Sequence, residues 1–387
     1  MVNVSVASSS ETPIKIGIAV SLSGRYALLG QQVYAGVQCY ADDVNANGGI
    51  TVAPGTRPRP VVVHGYDDQS DIEHCGAAVR RLVEQDEVDL LLGPYGSGLT
   101  LAAARVAEDK NVVLWNHSGS ADEIFTAGLT MLVGIISPAS SYLRGVLDLV
   151  RSTDLGARRL VIVNAETGFA RDVADGAEAW AKRTGSQVLA RHRYPSGRKT
   201  FRPLVKALLA DPPDCLLGVG RVEDDLQLAR DLCADEFPFK SVALVVAGID
   251  QFKVELGKQA DGFLAPSQWE PGLDYVVDCG PSGEKFATSY LARNEKPLDY
   301  PAAQGYVGGL IAQQCVEMAR SLKPLALREA AAALRCTTFY GPFAIDAETG
   351  RQEAHTMLLT QWQNGRRKVV WPATVARTTF VYPKPVQ

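Results

Sequence analysis

The 387-residue sequence predicts an α/β protein: two doubly wound, Rossmann-like halves in succession, closed by a C-terminal β-hairpin. Three observations carry this. Short runs rich in Val, Ile and Leu alternate with helical patterns. That alternation restarts near residue 159. Two strand-like runs near the end flank Asn364-Gly365, a dipeptide suited to a type I′ hairpin turn.

In the first half, IKIGIAV (14–20), PVVVHGY (60–66), VDLLLG (88–93) and NVVLW (111–115) read as buried parallel strands. Between the first two, Val33, Val37, Tyr40, Ala41 and Val44 keep helical spacing, and Gly48-Gly49 supplies the stop. Ser70 and Glu73 have capping-box spacing for a helix burying Ile72, Val79, Leu82 and Val83. The second half runs through RLVIVN (159–164), then a helix with Val173, Ala177 and Trp180 stopped at Gly185. QVLARHR (187–193), DCLLGVG (214–220) and SVALVVA (241–247) continue the series, and HTMLLTQWQ and RKVVWP form the hairpin.

Composition removes several function classes. Apolar residues make up 46% and charged residues 21%, ordinary for a globular protein. A formal net charge of −4 with no Lys/Arg run offers nucleic acid no field. No apolar run approaches the roughly 20 residues that span a bilayer. The seven cysteines (39, 75, 215, 233, 279, 315, 336) lack C-x-x-C spacing and set no pairing. MVNVSVASSSETP has no apolar core of a signal peptide and reads as the stub left after cleavage, or as a tail on a cytosolic chain.

Open α/β sheets bind ligands at the C-terminal ends of their strands. Here those ends are SLSGRYALLG, GYDDQS, GPYGSGLT, WNHSGSAD, NAETGFAR, GVGRVEDD and AGIDQF, small, polar and Gly-rich. GPYGSGLT lacks the Lys of a P-loop, and Tyr95 and Leu99 hold the outer places of a G-x-S-x-G elbow. SLSG is no dinucleotide fingerprint, and no Asp/Glu/His spacing suggests a metal. His117 has no assured nucleophile partner, so loop hydrogen bonding is its favoured role over general base. What remains is hydrogen bonding: the Ser97 and Ser120 hydroxyls, with backbone amides at two helix starts, suit a carboxylate. Either serine also serves as a plain helix cap.

IGIAVSLSGRYALLGQQVYAGVQCYADDVNANGGI, GYDDQSD, VDLLLGPYGSGLT and VIVNAETGFARDVADG resemble type I periplasmic binding proteins, the branch binding branched-chain amino acids or amides and urea. The resemblance spans about residue 13 to the terminal hairpin. It implies two lobes joined by three crossovers, near 135–138, 266–270 and 337–342, closing on a ligand. The lobes would be residues 12–136 with 269–338, and 137–268 with 339–387. Implied ligand contacts are Ser97, the Ser118 backbone, Ser120, the stacking ring of Phe169, and Tyr95. Trp269 lies at a crossover, where it edges the cleft or packs the hinge. The implied role is a non-enzymatic, extracytoplasmic receptor for a transporter of the ATP-binding-cassette kind. It would be monomeric and without cofactor or metal, delivering a small amino acid, amide or carboxylate to a membrane permease.

Three departures shape the expected ligand. Leu29 stands where branched-chain binders carry an aromatic residue. Arg221 replaces a tyrosine; it faces the cleft and favours an acidic group, or pairs with Glu223 or Asp224 outside it. No Glu neutralises the ligand's ammonium, and Asp250 is the closest substitute. A cytosolic amide sensor on the same fold and an α/β enzyme are the weaker alternatives; the latter lacks a convergent nucleophile–base pair.

Overall fold

The computed structural model describes residues 12–234, 238–295 and 298–385. All of the expected stub but Thr12 and Pro13 therefore lies outside the described residues. Strands β1 (Ile14–Val20), β2 (Val61–Asp67), β3 (Leu90–Leu92), β4 (Leu114–Asn116) and β5 (Leu132–Gly134) alternate with helices α1 (Ala27–Ala46), α2 (Ile72–Glu84), α3 (Ser97–Asp109) and α4 (Asp122–Thr126). They form one parallel sheet in the order β2-β1-β3-β4-β5.

After α5 (Arg144–Thr153) a second series begins: β6 (Arg159–Ala165), α6 (Gly168–Thr184), β7 (Gln187–Tyr194), α7 (Arg202–Ala210) and β8 (Cys215–Val219). It continues through α8 (Val222–Cys233), β9 (Ser241–Leu244), α9 (Asp250–Leu256) and β10 (Leu264–Ser267). Helices α10 (Gly283–Arg293), α11 (Tyr300–Ala319) and α12 (Pro324–Ala333) follow, then strands β11 (Cys336–Thr338), β12 (Gly341–Phe343), β13 (Leu358–Gln363) and β14 (Arg366–Trp371). The second sheet runs β14-β13-β10-β9-β8-β6-β7, with β13 and β14 antiparallel to their neighbours. Asn364 and Gly365 have φ of 52° and 70°, as a type I′ turn requires.

Two expectations shift. Asp71, not Ser70, caps α2: its Oδ1 accepts from the amides of Glu73 and His74 at 2.9 and 3.0 Å. A carboxylate takes both orphan amides, leaving the Ser70 hydroxyl to donate to the Ser23 carbonyl. The run 241–247 is a strand only to Leu244, because residues 245–248 turn into a 3₁₀ segment.

Helices α10–α12 join the first sheet despite following the second in sequence. Their apolar residues share a core with β1, β3 and α1. The contact between α1 and α11 is backbone on backbone. A Cβ at Gly36 would lie 2.0 Å from the Ala302 carbonyl oxygen, and one at Gly305 would lie 2.1 Å from that of Val33. Only glycine permits this approach.

The chain passes between the sheets after β5, after β10 and before β13. The third passage comes later than the expected 337–342. Phe339, Tyr340 and Phe343 belong to the first core, and Gly350 still accepts from the Gly134 amide at 2.7 Å. All three passages meet at Ser137. Its amide donates to Gln268 Oε1 and its carbonyl accepts from Gln268 Nε2, both at 3.1 Å; its hydroxyl lies 2.7 Å from His355 Nδ1. Trp269 is 1% exposed, packs on Phe286 and Phe339, and donates to the Phe339 carbonyl at 3.1 Å. It is a hinge-packing residue and does not line the cleft.

Candidate ligand site

A cavity of about 450 Å³ lies between the two sheets, in the size range small ligands fill. Five strand-end loops of the sequence reading reach it, supplying Tyr26 and Leu29, Tyr95–Gly98, Ser118 with Ser120 and Ala121, Glu166–Phe169 and Gly220–Glu223. So do Val245 and Val246 from the 3₁₀ segment.

One end is a cradle of donors. Gly96, at φ 98°, turns the chain into α3, so the first amides of a 13-residue helix face the cavity with their dipole behind them. Ser97 Oγ accepts from the amides of Ser120 and Ala121 at 3.2 and 3.0 Å. Both its lone pairs are thus used, and its proton is left to donate. Ser120 Oγ accepts from the Tyr142 hydroxyl at 3.3 Å and is likewise free to donate. Ser118 differs from expectation: its amide donates to Asn116 Oδ1 at 3.3 Å and its hydroxyl to Gln304 Oε1 at 3.2 Å, although the residue does line the cavity.

Aromatic rings make the walls. Phe169 meets Tyr142 edge to face at 5.3 Å, and Tyr26 meets Tyr95 at 6.1 Å. The Tyr95 and Tyr300 hydroxyls share one hydrogen bond of 2.9 Å, which leaves one phenolic proton for a ligand. Burial pushes both phenols well above their ordinary range, so they stay neutral donors.

Arg221 lines the cavity, its guanidinium carbon 5.9 Å from the Tyr26 ring centre. It makes no ion pair among the described residues, and its buried Nε has no partner. Asp224 is occupied by the amides of Gly197, Arg198 and Arg221, and Arg221 forms no ion pair with Glu223, so of the two alternatives the outside pairing does not form. The carboxylates that line the cavity, Glu123, Glu166 and Glu223, are all exposed at its mouth.

Asp250 is not part of the site. It lies on the surface, 3.3 Å from Arg367, which also binds Glu270 at 2.7 Å and Asp299 at 3.0 Å. His117 is fully buried against the Ser118 hydroxyl, and burial lowers its pKa to about 4, so it is a neutral loop residue. No group of three or more metal-ligating side chains occurs among the described residues.

Sequence reasoning missed Tyr26, Tyr142, Gln268, Tyr300 and Gln304. Tyr26 sat within a quoted strand-end loop; the others come from crossovers and from α11, whose place follows only from the three-dimensional fold. Gln268 links site to hinge, donating to the Tyr142 hydroxyl at 2.9 Å while it pairs with Ser137.

A profile of the periplasmic binding protein family matches residues 13–367. A Leu/Ile/Val-binding protein homolog 7 of Brucella suis is 23% identical, over 98% of this chain and 96% of its own. Among solved structures, LivJ of Streptococcus pneumoniae in complex with isoleucine is 20% identical with a TM-score of 0.78, covering 93% of this chain and 100% of its own. A solute-binding protein of R. palustris in complex with benzoate is 18% identical with a TM-score of 0.78, covering 97% and 98%.

Behind the wall, Asp225 is fully buried: its Oδ2 accepts from the Val246 amide at 3.0 Å, and its Oδ1 has no partner among the described residues. It clips together the loops that present Arg221 and Val246 to the cavity. Burial raises its carboxyl to about 7. An exposed aspartate gives up its proton near ~3.9. Between those values the unfolded chain binds fewer protons, so this group makes stability fall as pH rises from about 4 to 7. Asp225→Asn should remove that decline, gaining on the parent by up to a few kcal/mol across the window and no further above it. Denaturant unfolding at a series of pH values checks this; parallel curves for the two proteins would mean Asp225 is already ionised at low pH.

Proposed function

The chain belongs to the periplasmic binding protein family, and we propose that it is an extracytoplasmic receptor that carries a small carboxylic acid to a membrane transporter of the ATP-binding-cassette kind. The observation that carries the ligand class is the imbalance of the cavity. Unused donors collect at the α3 start, Ser97 and Ser120, while no buried carboxylate lines the walls among the described residues. An α-amino acid brings an ammonium that needs a desolvated counter-charge. A carboxylate without one meets its donors and leaves nothing unpaired. Aromatic walls and the benzoate-bound relative support an aryl carboxylate over isoleucine. Tyr95, Phe169 and Tyr142 hold the ring in this reading, and Arg221 stands at the far end for a second acidic or carbonyl group. The protein works as a monomer and performs no reaction. Its two lobes, each built on one sheet, close over the ligand and offer the permease a joint surface.

Calorimetry with benzoate and isoleucine tests the class: benzoate should bind, and binding of isoleucine alone would reverse the assignment. Ser97→Ala should weaken benzoate binding by about 1–3 kcal/mol, and an unchanged affinity would remove the cradle from the argument.

Arg221→Ala should cost terephthalate about 1.5–3 kcal/mol more than benzoate, since only the former carries a second carboxylate. Equal losses would make Arg221 a surface charge. Small-angle scattering should show the mass of one chain and a smaller radius of gyration with saturating ligand than without. Identical curves would count against closure.

A further inference from the structure

The stretch 271–282, after the second passage, has no regular structure until α10 begins at Gly283. It runs alongside β11: the amides of Asp278 and Cys279 both donate to the Thr337 carbonyl, at 3.0 and 3.2 Å. The Thr337 amide returns a bond to Asp278 Oδ1 at 2.7 Å. This pairing sets the Cys279 side chain beside that of Cys336, near enough for the two thiols to perturb each other. Among the other cysteines, Cys39 contacts Ser289, Cys75 and Cys233 contact backbone carbonyls, and Cys315 is fully buried in α11.

We propose that Cys279 and Cys336 form a disulfide, a modification site that staples the loop after the second passage to β11. The proposal rests on the extracytoplasmic reading for its setting, because disulfides persist in oxidising compartments. The pair is arranged for the chemistry. Cys336 is half-buried and reachable; Cys279 lies behind it, 6% exposed. An external disulfide therefore meets Cys336 first, and Cys279 is placed to resolve the mixed disulfide that forms.

The oxidant is a disulfide compound such as oxidised glutathione. The Cys336 thiolate attacks one of its sulfurs and expels one glutathione thiolate. Cys279 then loses its proton to solvent and attacks the Cys336 sulfur, and the second glutathione thiolate leaves. Two protein thiols give up two electrons and two protons, and the oxidant becomes two thiols.

Purified protein treated with oxidised glutathione, then denatured and mapped by mass spectrometry, tests this independently of where the protein resides. A failed export reading would leave the result unmoved. Two of the seven thiols should disappear, with the peptides of Cys279 and Cys336 joined. The oxidised form should melt ~2–4 °C higher, and dithiothreitol should reverse the gain. Cys279→Ser should trap glutathione on Cys336, while Cys315→Ser should leave the pairing intact. Seven remaining thiols, a link through Cys315, or glutathione retained on Cys336 of the unmutated protein would each overturn the proposal.

Discussion

Where the chain crosses between its sheets, the buried Ser137 hydrogen-bonds to the other two passages, through Gln268 on one side and His355 on the other. Each of these residues is at most 9% exposed, so none of the bonds competes with water. Burial also lowers His355 to about 4, which keeps the knot uncharged at neutral pH. Two large bodies are therefore joined through a small, dry, neutral region. Such a joint resists stretching and shearing, yet leaves few contacts to oppose rotation. The cavity sits beside it, and Gln268 belongs to both.

Two arginines, one outside the site and one lining it, are divided by their company. Arg367 is deeply buried, and its charge is taken up by Glu270 and Asp299. That cluster ties β14, the second passage and the start of α11 together, and it draws Asp250 to the surface side. Arg221 has no such company and meets the cavity with a buried nitrogen unbonded. Removing one member of a buried ion group strands the others, whereas an unpaired guanidinium at a cleft mouth gains from a ligand. Structure and recognition thus use the same residue type in opposite ways.

The two α/β halves were legible because most strands are apolar runs bounded by turn chemistry; the short strands β5 and β10 and the order within each sheet were not, since three or four residues carry too little pattern. Hairpin register followed from Asn364-Gly365, where φ leaves little choice. The meeting of Ser97 and Ser120 was legible for a similar reason: each stands where a strand gives way to a helix. Trp269 and Gln268 show the limit. They are adjacent, and only the path of the crossover decides which faces the ligand. Tyr300 and Gln304 were out of reach because α11 returns to the first sheet after a second domain-sized excursion, and local pattern holds no record of that return. Asp250 failed for want of a competitor: Arg367 lies over a hundred positions later, and sequence distance hides the pairing.

The glycine contact between α1 and α11 carries a cost that falls elsewhere. A methyl group at Gly36 or Gly305 would wedge two helices apart at their backbones. Because α11 delivers Tyr300 and Gln304 to the cavity, the displacement would arrive there as a misplaced wall. Pocket-facing positions such as Leu29 or Val246 can exchange one apolar side chain for another and retune the ligand preference. The two glycines admit no such exchange. A lineage of this receptor is therefore free to wander in what it carries while remaining bound in how its helices touch, and the rigid part of its inheritance lies outside the site.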